Sequence, residues 1–439
     1  MPEIGSIEFV YWFRQAAPYI HAFRGRTFVV AFGGDLVRDE RMVSLAHDLN
    51  TLVSLGVRLV LVHGARPQIN ARLEEAGYDS RFERGVRVTE RDAIAPVLQA
   101  IGQVRFEIES ALSMGLANSP MANADIRVAG GNFITAQPMG VHDGVDMQAS
   151  GEVRKVDVAA MRNRLEFGET LLLSPLGYSP TGEVFNLTLE DVATSAAVAL
   201  AADKLIFLLD QPGVIDEDGQ LLNELTAAEA EAFVDEAGKV RDDIDFYLPN
   251  CIRAVRHGVG RAHLISRHLD GGLLTELFTH EGIGTMISRE PLETLRRATI
   301  DDVGGILALI EPLEADGVLV KRNRELLERE IERFAVLEHD RKIIGSVALH
   351  TFEGSEMAEL AGLAVHPDYR DGGRGEALLK HVEREARRLR LKQLFVLTTR
   401  TAHWFVERGF APAEVDALPM RKKALYNWQR RSKVFLKAL

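Results

Sequence analysis

The sequence predicts an α/β protein whose longer first part is built on a mainly parallel sheet and whose last part is a second, smaller α/β domain. From Thr27 onward, short apolar runs rich in β-branched residues alternate with helical patterns: FVVAFGG, RLVLVHG, TLLLSPLG, KLIFLLD and RAHLISR. Strands that alternate with helices in this way pair in parallel and carry helices on both faces. The first part is therefore expected to be an αβα sandwich.

A domain boundary is expected near residue 290. The segment EGIGTMISRE ends the first pattern, and a new one begins at LRRATIDDVGGILALIEPL, where Thr299 or Asp301 is suited to cap a helix. The strand-like runs FAVLEHD, KIIGSVALHTF, MAELAGLAVHP and QLFVLTT follow, with a long amphipathic helix from Gly375 to about Leu389 and a short helix at WFVERGF. We predict domains over residues 1–288 and 289–439.

Composition excludes several classes of protein. The 46% hydrophobic and 26% charged fractions are those of a globular protein, and no run approaches the roughly 18 apolar residues of a membrane span. The N-terminus lacks the pattern of a secretory signal, and the single cysteine, Cys251, allows no internal disulfide. These features predict a cytoplasmic protein without a membrane partner.

The net charge of −12 opposes attraction to nucleic acid. Residues 421–437 hold seven Lys or Arg residues, which fit a solvated helix face or a nucleic-acid patch, and the overall charge disfavours the second reading. We predict no nucleic-acid partner. An anionic substrate must then be held by local basic residues.

A glycine-rich loop follows the strand LAVHP and precedes a helix in LAVHPDYRDGGRGEALLKHVEREA. Glycines at 372, 373 and 375 leave space for the amides of residues 371–376 to face one centre, and the helix dipole adds positive potential there. The loop is thus either an anion cradle suited to a pyrophosphate or a structural turn.

This loop resembles the Arg/Gln-x-x-Gly-x-Gly/Ala loop of the GNAT acetyltransferases, and the resemblance extends over about residues 294–439. It implies a mixed sheet, acetyl-CoA as co-substrate and no metal. In that family the preceding strand offers backbone groups to the pantetheine arm. The implied acetyl-CoA-binding residues are Leu363, Val365, Arg370, Asp371, Gly372, Gly373, Arg374, Gly375 and Glu376.

Two residues are candidates for the chemistry of acyl transfer. Glu359, just ahead of that strand, is suited to deprotonate an amine, directly or through a water; alone, a glutamate at a strand start is more often solvated surface. Thr398 ends the neighbouring strand, where its hydroxyl can serve the leaving sulfur; the alternative is an ordinary β-branched strand residue.

Both parts together resemble the bacterial N-acetylglutamate synthases, which catalyse the first step of arginine biosynthesis. The segments GVLVKRNRELLE and YNWQRRSKVFLKAL carry this resemblance. It implies L-glutamate as the acceptor, with Arg322 and Arg430 binding its two carboxylates and Ser432 close by. Guanidinium groups suit this task because they meet carboxylates in a bidentate fork.

The first domain is similar to N-acetylglutamate kinase over about residues 20–288, but it departs from the catalytic pattern. Ala31 and Asn250 stand where active kinases carry lysines, and Glu190 stands at the position of a motif aspartate. Ala65-Arg66 replaces two glycines. Phosphoryl transfer depends on positioned positive charge, so the resemblance implies a domain without kinase activity.

The segment RAHLISRHLDGGLLTELFTHEGIGTMI resembles the arginine-inhibited kinases of this family. It implies that L-arginine binds at Tyr19, Glu276 and Gly282, although Glu276 also fits a surface helix. We expect feedback inhibition by arginine. In that family the N-terminal helix helps to join kinase-like dimers into a hexamer, so the resemblance implies a homo-oligomer, with a hexamer favoured. The apolar residues 9–23 themselves fit either an interface or a buried helix.

Three accounts remain open at this point: a glutamate acetyltransferase, an active or bifunctional kinase, and an arginine sensor without enzymatic activity. Ala31 and Asn250 oppose the second account. The loop from Arg370 to Gly375 opposes the third.

Overall fold

The computed structural model describes residues 6–236, 243–279, 282–340, 342–370 and 372–439. The chain forms two compact units, Met1–Glu290 and Pro291–Leu439. Asp371, one of the predicted acetyl-CoA-binding residues, lies outside the described residues.

The first unit alternates strands and helices as predicted. Its helices are α1 Ser6–Phe23, α2 Gly34–Arg38, α3 Met42–Ser54, α4 Arg66–Glu75, α5 Ile94–Leu112, α6 Val158–Glu166, α7 Leu189–Leu200, α8 Ala227–Glu236, α9 Asp243–Arg256 and α10 Gly272–Phe278. Its strands are β1 Thr27–Phe32, β2 Arg58–His63, β3 Arg81–Glu83, β4 Val86–Val88, β5 Val128–Ala129, β6 Ile134–Pro138, β7 Val141–His142, β8 Val145–Asp146, β9 Gly151–Val156, β10 Thr170–Leu173, β11 Leu176–Tyr178, β12 Val184–Asn186, β13 Lys204–Leu209, β14 Glu224–Thr226, β15 Arg261–Ser266 and β16 Thr285–Ser288.

The main sheet of this unit runs in the order β14-β16-β15-β13-β1-β2-β10-β5 within the described chain. Its pairs are parallel except β15 with β16, so the predicted mainly parallel sheet is confirmed. A smaller sheet has the order β12-β11-β6-β9.

Strand β1 shows why the apolar runs form the centre of this sheet. Val29 and Ala31 point into a core shared with α7 and α9, while Phe28, Val30 and Phe32 point into a core shared with α3 and α5. Successive side chains of a strand leave opposite faces, so a strand covered on both sides must be apolar throughout.

The second unit has its own helices and strands. The helices are α11 Val303–Ala315, α12 Arg324–Glu330, α13 Arg374–Arg388, α14 Ala402–Val406 and α15 Met420–Ala424. The strands are β17 Glu293–Arg297, β18 Phe334–His339, β19 Lys342–Thr351, β20 Met357–Val365, β21 Gln393–Thr398, β22 Ala411–Ala413 and β23 Lys433–Ala438.

The sheet of this unit has the order β17-β18-β19-β20-β21-β23-β22 across the described strands. Only β20 and β21 pair in parallel, and the other neighbours are antiparallel, which confirms the predicted mixed sheet. Apolar residues of this sheet and α13, among them Leu378, Leu379 and Val382, share one core.

Three local expectations need correction or refinement. Thr299 forms a capping box with Asp302 around a 3-10 turn, and α11 begins only at Val303. The short helix predicted at WFVERGF is Ala402–Val406, with a turn after it. The end of the basic segment is strand β23 rather than a helix face, because Val434 and Phe435 are buried against the sheet.

Across the residues described, no helix combines the length and apolar character that crossing a bilayer requires.

Candidate active site

The sheet of the second unit opens between its two parallel strands. Strands β20 and β21 pair only through Met357, Ala358 and Glu359, opposite residues 393–395, although both strands continue beyond this point. Residues 360–365 of β20 therefore lack backbone partners on β21. Leu363 and Val365, predicted to face the pantetheine arm, lie half-buried in this unpaired part.

A bulge in β20 marks the start of the opening. The register with β19 shifts between Ser346, opposite Ala364, and Ala348, opposite Ala361. Gly362 has a positive φ of 59° and its carbonyl accepts a hydrogen bond from Ser346 Oγ at 3.0 Å. A bulge bends the strand and disrupts regular pairing, and bulges are frequent next to active sites.

The glycine loop lies at the carboxyl end of β20, before α13. Gly372 and Gly373 both have positive φ, 88° and 73°, a conformation that side-chain-bearing residues rarely adopt. A Cβ on Gly375 would lie 3.2 Å from Trp404 Cζ2, so the indole covers the first turn of α13. The helix N-terminus with glycines on its approach fits an anion such as a pyrophosphate.

The charged residues of this loop differ in their surroundings. Arg370 is exposed, and Glu376 pairs with Lys380 at 2.8 Å. Arg374 instead bonds to Glu293 on β17 and lies 5.3 Å from the ring of Tyr369. Among the predicted acetyl-CoA-binding arginines, Arg370 is thus the one whose guanidinium faces solvent.

Glu359 lies where the pairing of β20 and β21 ends. It is 8% exposed, and its Oε2 lies 2.6 Å from Lys422 Nζ on α15. His350 is directly opposite Glu359 across β19 and β20. Sequence reasoning missed both Lys422 and His350.

The imidazole of His350 is neutral at physiological pH. Burial lowers its pKa to about 4, and three cations act in the same direction: Arg333, Arg322 and Lys422. His350 and Lys422, which sequence reasoning missed, therefore lie beside two of the predicted residues, Glu359 and Arg322.

Arg322 and Arg430 lie near each other beside the opening. Burial, and then the charge of Arg322, lowers the pKa of Arg430. A Cβ on Gly362 would lie 3.9 Å from Arg322 Nη1, which places this guanidinium beside the bulge. Arg430 Nη2 donates to the carbonyls of Gly317 and Val318 at 3.1 and 2.6 Å.

Ser432 and Thr398 complete the predicted set. Ser432 is buried just before β23, and its carbonyl accepts a hydrogen bond from Tyr426. The Thr398 hydroxyl lies 2.8 Å from that of Thr401 and accepts from the Thr401 amide at 3.1 Å. The next residue, Thr399, donates to the Gly317 carbonyl that Arg430 also contacts, so these segments meet at one point.

The first unit contains a cavity of about 280 Å³ at the carboxyl ends of its central strands. Gly33, Gly34, Ala65 and Arg66 line it, and the part of the chain described contributes no lysine to its lining. Ala31 is fully buried within β1.

The other departures from the kinase pattern also line this cavity. The Asn250 side chain is held by Thr194 and by the Phe246 carbonyl. Burial raises the pKa of Glu190, so this carboxyl favours its neutral form more than a solvated one.

The predicted arginine-binding residues lie where α1 meets α10. The rings of Phe23 and Phe278 are 5.5 Å apart, and Tyr19 packs on Phe23 at 6.0 Å. Gly282 has a positive φ of 62°, and a Cβ there would come within 2.6 Å of Glu276 Oε2. Glu276 and Gly282 are therefore in direct contact.

Glu276 is buried rather than on a helix surface. Its Oε1 lies 2.7 Å from His263 Nδ1, and its Oε2 accepts from the amides of Ile283 and Gly284 at 2.8 and 3.0 Å. Burial opposes ionisation, but the hydrogen bond from His263 and those from the two amides hold the Glu276 pKa below its usual range. The carboxylate is a fixed negative charge in this unit.

Among the described residues, no group of three or more His, Cys, Asp or Glu side chains is arranged to hold a metal ion.

Comparison with known proteins agrees with both halves of this description. Residues 26–266 match the amino acid kinase family, and residues 306–410 match the acetyltransferase (GNAT) family. The amino-acid acetyltransferase of Ralstonia nicotianae is 51% identical over 432 residues, covering 98% of this chain and 96% of that protein. That of Ectopseudomonas mendocina is 51% identical over 433 residues, covering 98% and 100%.

Among solved structures, N-acetylglutamate synthase from Neisseria gonorrhoeae complexed with coenzyme A and L-arginine matches with a TM-score of 0.89 and 39% identity, covering 98% of this chain and 99% of that one. Its complex with coenzyme A and N-acetyl-glutamate matches with a TM-score of 0.63 at the same identity and coverage.

The open mixed sheet with its glycine loop, together with these relatives, defines an acyltransferase of the amino-acid N-acetyltransferase class that uses acetyl-CoA as co-substrate. The first unit matches the amino acid kinase family, which restricts the class to acetyltransferases that carry a kinase-like domain. The chain belongs to the bacterial N-acetylglutamate synthase family, which confirms the resemblance found in the sequence.

Proposed function

We propose that this enzyme transfers the acetyl group of acetyl-CoA to the amino group of L-glutamate, giving N-acetyl-L-glutamate and CoA as the first step of arginine biosynthesis. The observation that carries the proposal is the charge arrangement beside the opening in the sheet. Lys422 contacts one buried acid, Glu359. Arg322 lies near His350, the register partner of Glu359, and near Arg430. This arrangement fits a substrate with two carboxylates and one amine.

Glu359 is proposed as the base. The amine of glutamate reaches the site as an ammonium and must lose a proton before its lone pair can attack the thioester carbonyl carbon. A buried carboxylate at the end of the strand pairing is placed to accept that proton, directly or through a water. Its present contact, Lys422, is a cation that an incoming ammonium can replace.

Thr398 is proposed to serve the leaving sulfur. Collapse of the tetrahedral intermediate breaks the carbon–sulfur bond and leaves a thiolate, which a hydroxyl can stabilise or protonate. The Thr398 hydroxyl accepts from the Thr401 amide, and its own proton is available for donation when the Thr401 hydroxyl, 2.8 Å away, is the donor of that pair.

Arg322 and Arg430 are proposed to bind the two carboxylates, with Ser432 nearby, and the loop of residues 370–376 to bind the pyrophosphate of acetyl-CoA. The solved relative that contains N-acetyl-glutamate supports glutamate as the acceptor. Among the loop residues, the positive φ of Gly372 and Gly373 supports close approach of an anion to the backbone.

The kinase-like unit is proposed to bind L-arginine as a feedback inhibitor and to lack kinase activity. The relative that contains L-arginine supports the first point, and Ala31 and Asn250, which stand where active kinases carry lysines, support the second. We place the arginine near Tyr19, Glu276 and Gly282. The aromatic residues exposed along α1, including Phe9, Trp12 and Phe13, support a homo-oligomer, and we favour a hexamer in the cytoplasm.

The test is thiol release from acetyl-CoA with and without L-glutamate, with glutamine, aspartate and ornithine as alternative acceptors. Release that depends on glutamate and exceeds that with the other three amines is expected. Addition of L-arginine is expected to reduce it. Equal release with all four amines would reject glutamate as the specific acceptor, and an unchanged rate with arginine would reject the inhibitor role.

A further inference from the structure

One buried nitrogen beside the site has no hydrogen-bond partner. His350 is 8% exposed on β19, and in the described part of the chain nothing bonds to its Nε2. Buried polar groups are almost always satisfied, because an unmade hydrogen bond costs the desolvation of the group. A buried polar atom without a hydrogen-bond partner at a substrate site therefore indicates that a ligand bonds to it.

The contacts of the ring decide which nitrogen carries the proton. Arg333 Nη1 lies 3.0 Å from His350 Nδ1. A guanidinium can only donate, so Nδ1 accepts and cannot hold a hydrogen. Because the ring is neutral, its single proton is on Nε2, and the orphaned atom is an N–H donor.

The surroundings indicate the acceptor. Glu359 is the register partner of His350, so the two side chains leave the same face of the sheet. The cations that influence His350 include Arg322 and Lys422, both beside the site, and the Phe334 ring stands edge-on at 6.4 Å. A neutral donor among cations is best satisfied by an anionic oxygen.

We propose that His350 is a substrate-binding residue whose Nε2–H donates a hydrogen bond to a carboxylate of the amino-acid substrate. The inference rests on the proposed acetylation of glutamate and adds a third carboxylate donor to Arg322 and Arg430. It assigns His350 to recognition of the acceptor, not to proton transfer.

Two near-isosteric substitutions separate this role from a purely structural one. The amide nitrogen of His350→Gln reaches the position of Nε2, whereas the amide of His350→Asn reaches only the position of Nδ1. The control is His142→Asn, at an exposed histidine of the other unit. KM for glutamate, KM for acetyl-CoA and kcat are measured for each full-length variant, with thermal unfolding as a check of folding.

We expect His350→Asn to raise KM for glutamate by about 10- to 100-fold, the usual effect of losing a hydrogen bond to a charged group, with KM for acetyl-CoA little changed. His350→Gln should restore much of the affinity. If the ring served only to accept from Arg333, the order would be reversed, with Asn active and Gln impaired. That order, or a fall in kcat alone, would overturn the proposal.

A second readout needs no substitution. In protein carrying ¹⁵N-labelled histidine, the His350 Nε2–H signal is expected to shift when glutamate is added and not when acetyl-CoA alone is added. An unshifted signal at saturating glutamate would refute the contact. Wild-type enzyme that shows no glutamate-dependent turnover would instead refute the proposed function itself, which the kinetic control distinguishes from failure of the His350 contact.

Discussion

Glu359 Oε2 lies 2.6 Å from Lys422 Nζ, and the two side chains are 10% and 23% exposed. The pair joins strand β20 to helix α15, segments about sixty residues apart in the sequence. Lys422 thus contacts the Glu359 carboxylate at the point where the pairing of β20 with β21 ends.

Replacing Glu359 by Gln should lower kcat by about 10²- to 10³-fold, because the amide keeps the shape but cannot accept a proton. KM for acetyl-CoA should change little. The matched control is Glu356→Gln, which also breaks a Glu–Lys pair, with Lys392 at 2.7 Å, but at a largely exposed position. Turnover in Glu359→Gln close to that of the control would remove Glu359 from the mechanism.

Thr398→Val should lower kcat by about 10- to 100-fold, whereas Thr398→Ser should retain most of the activity, since only valine lacks the hydroxyl. The hydroxyl also accepts from the Thr401 amide, so a thermal unfolding curve must accompany the kinetics. A stable Thr398→Val enzyme with normal kcat would show that the hydroxyl has no part in the transfer.

Arg322→Lys and Arg430→Lys should each raise KM for glutamate by about 10-fold or more, because an ammonium cannot form a bidentate fork with a carboxylate. Arg421→Lys is the control, since Arg421 is 72% exposed and pairs only with exposed Glu353 among the contacts described. The comparison is made at saturating acetyl-CoA. Equal KM values in all three variants would contradict carboxylate binding by Arg322 and Arg430.

Glu276→Gln should weaken L-arginine binding by at least about 10-fold, because a fixed carboxylate is replaced by a neutral amide of the same shape. Calorimetric titration with arginine measures this directly. Glu231→Gln, which removes an exposed partner of Arg256 in the same unit, serves as control. Unaltered affinity in Glu276→Gln would place arginine elsewhere.

Asp48→Asn should stabilise the first unit at pH 8 and have much less effect near pH 4. Burial and the charge of Asp270 raise the pKa of Asp48 from 3.8 to about 7 in the folded chain. A raised folded pKa means that the folded state holds this proton more tightly, so the carboxyl destabilises the fold increasingly as the pH rises from about 4 to about 7.

At about 1.4 kcal/mol per pKa unit, the gain above pH 7 should be on the order of a few kcal/mol. Denaturant titrations at several pH values, with the exposed Asp79→Asn as control, measure it. A gain that does not depend on pH would contradict the assigned ionisation.

The fold could be predicted because each central strand can be recognised from its own apolar sequence. Strand β1, which is covered on both faces, is apolar at each position from Phe28 to Phe32, and this pattern is visible without knowing its neighbours. The glycine loop is equally local, since Gly372 and Gly373 follow one another in the chain.

Strand β23 was missed because its short apolar run lies between lysines in a basic segment. Lys437 pairs with Glu383 on α13 at 2.6 Å, so a charge that looks solvated in the sequence is neutralised by a helix more than fifty residues away. Strand pairing decides such positions, and a single basic run does not reveal its partner.

His350 and Lys422 could not be assigned from the sequence for a similar reason. Neither belongs to a recognisable motif, and each can be assigned only from a contact that the folded chain makes, with Arg333 for His350 and with Glu359 for Lys422. The predictions for Arg322, Arg430, Glu359 and Thr398 came from the family resemblance, and their roles stay predictions.

Because β20 and β21 pair over so few residues, the unpaired backbone amides of β20 can also report whether a ligand is bound. Amides of residues 360–365 that face away from β19 have no strand to protect them, so they should exchange their hydrogens with solvent quickly in the ligand-free enzyme. A bound molecule that carries amide groups of its own can protect them as a neighbouring strand would. Hydrogen exchange confined to this segment would then follow co-substrate loading residue by residue, even in variants too slow for kinetic study.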